Sequence, residues 1–392
     1  MKRFLLFCVA IVLSITVGAQ DREYIWPKGK MPHRSDLQIA AMTTESKAAG
    51  FKPEEYRLPY LEWYEAPENP NGTCMILISG GSYNSCCDGK LIESWRKSLT
   101  ALGVQCVNFV YRTPRPEGIP YYQTAWEDGQ RAVRKVRSEA GRRGFNPEKI
   151  GVMAMSAGGH LGLLLATASQ SAAYRSVDSL DKEVSCHINI AVLNAPAYLT
   201  SDADSLGIPA TREGYGADVT LSKVFPFDGK TCPISLHHGG ADIYSPNGST
   251  LVYRRLRSMG VPAELHLYPG KGHGAYGFER AVEFLRQMGF LEPLEPEVRL
   301  LDRFTSDSAR AEYVKEPVWP EGKTPDFQEN QCETYLEWHI PRERKTDAIQ
   351  IIYSGGGYNN NSADGFEVAP AIFNTSGFNW RDNSEVLPNV LI

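Results

Sequence analysis

The chain has 392 residues, of which 42% are hydrophobic and 22% are charged, as in an ordinary globular protein. Its formal net charge of −5 excludes the basic bias of a nucleic-acid-binding protein, so we expect no nucleic-acid partner. The length allows one large domain with a further fragment, or two domains.

The first residues have the pattern of a secretory signal peptide. A basic start is followed by an apolar run from Phe4 to Val17, and Val17 and Ala19 suit a cleavage site. A membrane anchor is the alternative, but the run is shorter than the ~20 residues that span a bilayer. We therefore expect residues 1–19 to be removed and the protein to be exported, to the periplasm or the exterior, without a stable membrane anchor.

Seven cysteines follow this segment, an odd number spread over a long chain. This spacing is not that of a disulfide scaffold, and most of these residues are expected to be buried thiols in or beside strands. No C-x-x-C pair or histidine-rich pattern indicates a metal site, so we expect no metal.

From about residue 56, short β-branched runs alternate with amphipathic stretches. This alternation predicts strands separated by helices, and hence a mostly parallel central sheet flanked by helices. The predicted strands are 73–80, 104–111, 149–156, 187–194, 232–239 and 263–270. The predicted helices are 89–103, 124–144, 157–169, 247–260 and 277–291. Residues 200–228 break the rhythm and are expected to form an excursion or partial lid over the strand ends.

Part of the first domain recurs near the end of the chain. The motif YLEW (60–63) returns at 335–338, and ISGGSYN (78–84) returns as YSGGGYN (353–359), both at an offset of 275. Upstream, WPKGKMP (26–32) returns as WPEGKTP (319–325) at an offset of 293. Two unrelated glycine-rich turns are the alternative to a true repeat.

Gly377 can be paired with Gly103 only if a one-residue gap is allowed, and beyond it the second copy diverges and has no equivalent of Ser156 or of any later residue. The sequence therefore predicts a complete domain over 20–295, a linker over 296–316 and a truncated partial repeat over 317–392 that lacks a nucleophile. The divergent last residues are consistent with a frameshift or an early stop.

The segment GVMAMSAGGH (151–160) contains a candidate nucleophile, Ser156. This serine follows a predicted strand and precedes a predicted helix, which is the setting of a nucleophile elbow. The turn requires small residues two positions before and after it, here Ala154 and Gly158. Alanine tolerates the geometry less freely than glycine, and a structural serine in a tight turn is the alternative.

A serine nucleophile needs a base and an acid that orients the base. His273 lies in a glycine-rich loop after the last predicted strand, from which it can fold back over the strand ends as the base. Asp242 directly follows the preceding strand and is the predicted acid. Asp202 and Asp204, in the lid-like stretch, are its rivals.

The loop SGGSYNS (79–85) follows an earlier buried strand and allows close approach of its backbone to a substrate. Gly81 and Ser82, together with Ala157 after the nucleophile, are therefore the predicted oxyanion-hole residues.

Four other polar side chains stand near these motifs. Tyr83 and His238 are the predicted substrate-binding residues. His160 is expected to pack or hydrogen-bond internally, and Asp128 to pair with nearby arginines on a helix.

Together these motifs resemble the α/β-hydrolase fold, and more narrowly a group of secreted bacterial carbohydrate esterases that includes acetyl xylan esterase-like and feruloyl esterase-like proteins. The resemblance covers about residues 24–292 and rests on WPKGKMP, SGGSYN, VYRTPRP, WEDGQRAVRKVR, IGVMAMSAGGHL, HHGGAD and YPGKGHG. Such proteins typically have GGGY in the oxyanion loop and G-x-S-A-G-G-H-L at the elbow. Here Ser82 and Ala154 each replace a glycine.

This resemblance implies an α/β-hydrolase catalytic domain followed by a partial repeat of the same fold. It also implies a serine esterase that acts on short acyl esters, acetyl or feruloyl, of a small molecule or polysaccharide through an acyl-enzyme, without a metal or organic cofactor. A prolyl-oligopeptidase-like peptidase shares the order of the triad, although no propeller domain precedes residue 50. A non-catalytic glycan-binding or scaffold protein is the third alternative.

Overall fold

The computed structural model describes residues 21–33, 59–64, 67–86, 89–115, 118–204 and 213–293, with four short strands beyond them. The chain divides into two compact units, Met1–Pro293 and Leu294–Ile392. The predicted signal segment lies outside the described residues.

The first unit is built on an eight-stranded sheet. Its strands are β1 (Asp21–Tyr24), β2 (Tyr60–Trp63), β3 (Cys74–Ile78), β4 (Gln105–Val110), β5 (Ile150–Met155), β6 (Ile190–Asn194), β7 (Ile234–Gly239) and β8 (Ala263–Tyr268). Their order across the sheet is β1-β2-β4-β3-β5-β6-β7-β8. Neighbouring strands are parallel along the run β4-β3-β5-β6-β7-β8, whereas β1 and β2 add an antiparallel edge.

Helices cover both faces of this sheet. They are α1 (Gly89–Thr100), α2 (Gln123–Ser138), α3 (Ala140–Arg143), α4 (Ala157–Thr167), α5 (Ser179–Glu183), α6 (Asn247–Ser258) and α7 (Phe278–Gln287). Side chains of α1 and α7 pack on one face, and those of α2, α4 and α6 on the other. Because both faces are covered, β3, β5 and β6 are buried along their whole length, which explains their continuous apolar sequences.

All six predicted strands and all five predicted helical stretches are present, so the mostly parallel sheet is confirmed. The stretch 124–144 forms two helices, α2 and α3, because it is interrupted at Glu139. The edge strands β1 and β2 were not predicted as strands, since four residues each give too short a pattern to recognise.

The stretch 200–228 is irregular, as expected of an excursion. In its described part it contains a single 3₁₀ turn, Ser201–Ala203, and an isolated bridge between Thr200 and Leu221. Across the described residues, no helix has the length and apolarity needed to cross a bilayer. The cysteines described in the first unit are free thiols, and most of them are buried.

The described part of the second unit consists of two strand pairs. Strand β9 (Tyr313–Pro317) pairs antiparallel with β10 (Tyr335–His339), and β11 (Gln350–Ile351) pairs parallel with β12 (Val390–Leu391). Since β9 begins at Tyr313, a strand occupies the last residues of the predicted linker.

The pairing of β9 with β10 has the register of β1 with β2. Tyr60 lies opposite Tyr24, and Tyr335 lies opposite Pro317. The offset of 275 relates Tyr60 to Tyr335, and the offset of 293 relates Tyr24 to Pro317, so equivalent positions are paired in the two copies. This agreement favours the predicted repeat. The recurring glycine-rich loop at 353–359 lies outside the described residues, so the repeat as a whole remains a prediction.

A buried ion cluster fixes the N-terminal segment on α2. The Trp26 Nε1–H donates to Asp128 at 2.7 Å, and Arg112 donates to the same carboxylate from its backbone N–H and from Nε, each at 2.9 Å. Arg112 also contacts Glu127 at 2.9 Å, and all three charged side chains are buried. Asp128 therefore does pair with an arginine, but with one that follows β4, since Arg131 on its own helix binds other carboxylates.

Replacing Arg112 should destabilise the first unit severely, because it leaves two buried carboxylates without their cation. We expect Arg112→Met to lower the free energy of unfolding by about 3–5 kcal/mol, measured by urea denaturation. Arg280→Met is the matched control, since Arg280 pairs with Glu283 on the exposed surface, where such a pair contributes up to about 1 kcal/mol. Equal losses in the two variants would contradict a structural role for the cluster.

Candidate active site

Ser156 occupies a tight turn between β5 and α4. Its backbone has φ of +57° and ψ of −126°, a conformation that non-glycine residues rarely adopt. The turn is held by the Ser156 N–H, which donates to the Asn194 carbonyl at 3.0 Å, and by the Ser156 carbonyl, which accepts from His160 N–H at 3.0 Å. The predicted elbow geometry is therefore present at Ser156.

Glycines make room for this turn. A Cβ at Gly158 would lie 2.4 Å from the Ser79 carbonyl oxygen, and one at Gly80 would lie 2.7 Å from the Cβ of Ser156. The methyl of Ala154 faces Gly162, where an added Cβ would lie 3.2 Å away. Ala154 can thus replace the usual glycine because position 162, on the following helix, has no side chain.

The structure brings the three predicted triad residues together at one edge of the sheet. The Ser156 hydroxyl lies 2.9 Å from Nε2 of His273, and Nδ1 of the same ring lies 2.9 and 3.1 Å from the Asp242 carboxylate oxygens. Asp242 is buried, whereas about a quarter of the His273 side chain is exposed. The rival carboxylates have other partners: Asp202 accepts from Thr200, and Asp204 accepts from Ser222.

The electrostatics of Asp242 suit a carboxylate that must stay ionised. Burial opposes its ionisation, but hydrogen bonds from His238, His273 and the Tyr244 backbone outweigh burial and hold the pKa of Asp242 well below its usual range. The charge that orients His273 is therefore maintained throughout the neutral pH range.

His238 supports the acid and does not line an open pocket, which corrects its predicted role in substrate binding. Its ring is fully buried. Nδ1 lies 2.8 Å from the Ser249 hydroxyl, and Nε2 lies 2.9 Å from the Tyr244 carbonyl and 3.3 Å from Asp242. From the sequence, a histidine at the end of a strand next to an acid is compatible with either substrate binding or support of the acid. Only the burial of His238 in the folded chain distinguishes the two roles.

The predicted oxyanion loop packs directly against the nucleophile. Gly81, Ser82 and Tyr83 all have positive φ, and a Cβ at Gly81 would lie 2.0 Å from the Ser85 carbonyl oxygen. Hydrogen bonds from the N–H groups of Asn84 and Ser85 to the Gly81 carbonyl close the turn. Strain of this kind is typical of loops that must present their backbone to a ligand.

Tyr83 lies behind this loop rather than in contact with solvent, so its predicted role in substrate binding is also corrected. It is 1% exposed, and its hydroxyl lies 2.8 Å from Nδ1 of His160. His160 is fully buried among aromatic rings, and burial lowers its pKa to about 3. The expected internal role of His160 is thus confirmed.

Two tyrosines and a glutamate beside the triad were not found from the sequence. The ring of Tyr198, a residue with φ of +61°, lies 6.4 Å from that of Tyr83 and 5.5 Å from that of Tyr244, centroid to centroid. The ring of Tyr244 lies 5.0 Å from that of His273. These tyrosines link the oxyanion loop to the loop of the acid, and single tyrosines in loops give no sequence signal.

Glu213 is a buried carboxyl close to the acid. It accepts a hydrogen bond from the Tyr198 N–H, and its Oε2 has no hydrogen-bond partner among the described residues. Burial, together with the nearby charges of Asp202 and Asp242, raises the pKa of Glu213 from the usual 4.5 to about 8. At neutral pH one carboxyl of this site is therefore ionised and its neighbour is protonated.

This protonation should make stability depend on pH. Between pH ~4.5 and ~8, Glu213 is protonated in the folded protein but ionised in the unfolded chain. Its contribution to the free energy of unfolding is therefore largest at low pH and is lost as pH rises through this window. Glu213→Gln, which imitates the protonated form, should lose less stability than the wild type between pH 5 and pH 8.5 in urea denaturation. Glu283→Gln, at the exposed surface, should follow the wild type. Identical pH slopes for Glu213→Gln and wild type would refute the assignment.

Known proteins are similar to parts of this chain. A protein-family model described as BD-FAE matches residues 61–197. An acetylxylan esterase from Xylanibacter ruminicola is 28% identical over 224 residues, 54% of this chain and 42% of that protein. An endo-1,4-beta-xylanase B from Butyrivibrio fibrisolvens is 26% identical over 231 residues, 55% of this chain and 34% of that protein. The chain thus spans less than half the length of these two relatives.

A solved structure shares the fold. The acetyl ester-xyloside bifunctional hydrolase from Caldicellulosiruptor lactoaceticus superposes with a TM-score of 0.53 at 22% identity, covering 71% of this chain and 100% of that one. An identity this low establishes the fold alone. Together with the matches above, it confirms the resemblance stated from the motifs: the chain has the α/β-hydrolase fold and is similar to carbohydrate esterases.

Proposed function

We propose that the chain is a serine esterase that hydrolyses short acyl esters, acetyl or feruloyl, on a polysaccharide or a small molecule. The observation that carries the proposal is the hydrogen-bonded series from the Ser156 hydroxyl through His273 to Asp242, on a strained elbow beside a glycine loop. The similar proteins support a carboxylic ester hydrolase, and the acetylxylan esterase among them supports an acylated glycan as the substrate.

In the proposed mechanism, Ser156 is the nucleophile and His273 is the general base. As the Ser156 oxygen attacks the ester carbonyl, its proton passes to Nε2 of His273, while Asp242 holds the Nδ1–H and stabilises the imidazolium. His273 then donates that proton to the departing alcohol, which leaves an acyl-enzyme. Water, deprotonated by His273, attacks the acyl group and releases the acid and free Ser156.

Backbone N–H groups stabilise the negative charge that develops on the carbonyl oxygen. We assign this role to Gly81, Ser82 and Ala157, because the loop and the helix start meet at the serine. Such donors act in a site with little water and typically contribute about 10²–10³-fold to the rate.

Fluorophosphonate labelling tests the nucleophile. The wild-type protein should be labelled at Ser156, and Ser156→Ala should abolish both labelling and hydrolysis of p-nitrophenyl acetate. Ser258→Ala, at an exposed helix end, should be labelled like wild type. An unlabelled wild type, or equal labelling of Ser156→Ala, would exclude the serine-hydrolase function. Hydrolysis assays with acetylated xylan, a feruloyl ester and a peptide amide then distinguish an esterase from a peptidase.

The acid can be tested separately from the nucleophile. Asp242→Asn keeps the shape of the side chain but cannot hold the Nδ1–H tautomer of His273, so we expect kcat to fall by about 10⁴-fold. Asp202→Asn and Asp204→Asn should each retain most of the kcat. If either of these rivals lost as much as Asp242→Asn, the assignment of the acid would be wrong.

A further inference from the structure

The end of the excursion is fastened to the loop that contains Asp242. The Ser245 N–H donates to the Glu213 carbonyl at 3.1 Å, and the Asn247 side-chain amide donates to the Gly214 carbonyl at 3.0 Å. The Tyr215 hydroxyl donates to the Asp242 backbone carbonyl. Three consecutive residues, 213–215, thus each bond to the acid loop or to the start of the helix after it.

The backbone of this segment also lies against the acid loop. Gly214 has φ of +77°, and a Cβ there would lie 3.0 Å from the Cβ of Ser245 and 3.4 Å from Thr200. A segment with this close approach, and with a hydrogen bond at each residue, holds the Tyr215 side chain in one place relative to the triad.

The Tyr215 ring nevertheless faces solvent. It is 47% exposed, and Ile243, which directly follows the acid, is 49% exposed. Large hydrophobic side chains this exposed are rare in the described part of the chain, and two of the four lie here. Ile243 adjoins Asp242 in the chain, and Tyr215 adjoins it through its hydrogen bond, so both exposed hydrophobic side chains stand next to the acid of the triad.

The position of this surface relative to His273 indicates which part of a substrate it meets. Ser156 is 8% exposed, whereas His273, which protonates the departing alcohol, is the exposed member of the triad. The alcohol portion of an ester must therefore extend toward solvent on the His273 side. The Tyr215 hydroxyl is hydrogen-bonded to the backbone carbonyl of Asp242, the residue that orients His273, which places Tyr215 next to the acid and base of the triad.

We propose that Tyr215, with Ile243 beside it, forms a subsite that binds a sugar ring of the acylated glycan on the alcohol side of the ester. The inference rests on the proposed esterase function and specifies its substrate. The axial C–H groups of a pyranose form an apolar face that packs on the negative face of an aromatic ring, while the sugar hydroxyls stay solvated at its edges. Tyr215 and Ile243 carry no charge, which suits a neutral polysaccharide.

Kinetics with two substrates test the subsite. Tyr215→Ala should lower kcat/KM for an acetylated xylo-oligosaccharide about tenfold more than kcat/KM for p-nitrophenyl acetate. Tyr215→Phe keeps the ring, and it should restore most of the selectivity. Tyr24→Ala removes an equally exposed tyrosine, 46%, from the far edge of the sheet and should leave the ratio unchanged. The proposal fails if Tyr215→Ala affects both esters equally, or if Tyr215→Phe is as impaired as Tyr215→Ala.

A binding measurement separates this proposal from the esterase function. In the Ser156→Ala background, titration calorimetry with deacetylated xylo-oligosaccharides should show a Kd that Tyr215→Ala raises about tenfold. No change in Kd, or no binding at all, would overturn the subsite even if the wild type hydrolyses esters. Failure of the wild type to hydrolyse any ester would instead refute the proposed function, and the calorimetry would still report on the sugar surface.

Discussion

The strained backbone of Ser156, with its positive φ, is the constraint on which the rest of the site depends. A serine in this conformation projects from the end of β5 only if nothing occupies the space that the turn needs. Gly80 and Gly158 leave that space empty, and the Asn194 carbonyl on the neighbouring strand holds the serine N–H. The parallel sheet then supplies the other partners, since the loops after β7 and β8 end at the same edge and contain the acid and the base.

A second requirement is that two buried carboxyls beside each other hold different protonation states. Asp242 stays ionised because three hydrogen-bond donors outweigh its burial, whereas burial, an oxygen without a donor and the nearby charges of Asp202 and Asp242 raise the pKa of Glu213. Ionisation of both at neutral pH would put like charges together in a poorly solvated region. Burial that is not offset by donors at Glu213, and is offset by them at Asp242, therefore keeps the negative charge on the residue that faces His273.

Much of this fold could be predicted because its central strands are buried on both faces. Their continuous apolar runs, separated by amphipathic helices, define a parallel sheet, and chain order alone placed Ser156, Asp242 and His273 at one edge. Burial of individual side chains was not predictable in the same way. Tyr83 and His238 stand next to functional residues in sequence, but tertiary packing turns both inward. Tyr198, Glu213 and Tyr215 acquire their roles through loops that meet only in the folded chain.

The contact between Ala154 and Gly162 limits how this elbow can change during evolution. A Cβ at position 162 would lie 2.8 Å from Cδ2 of the buried Leu193 on the neighbouring strand and 3.2 Å from the methyl of Ala154. An alanine at 162 would therefore require Leu193 to move even where residue 154 is glycine, whereas the methyl of Ala154 fits against a glycine there. Position 162 should consequently vary less among homologues than position 154, and Gly158 between them is fixed by the main chain of Ser79.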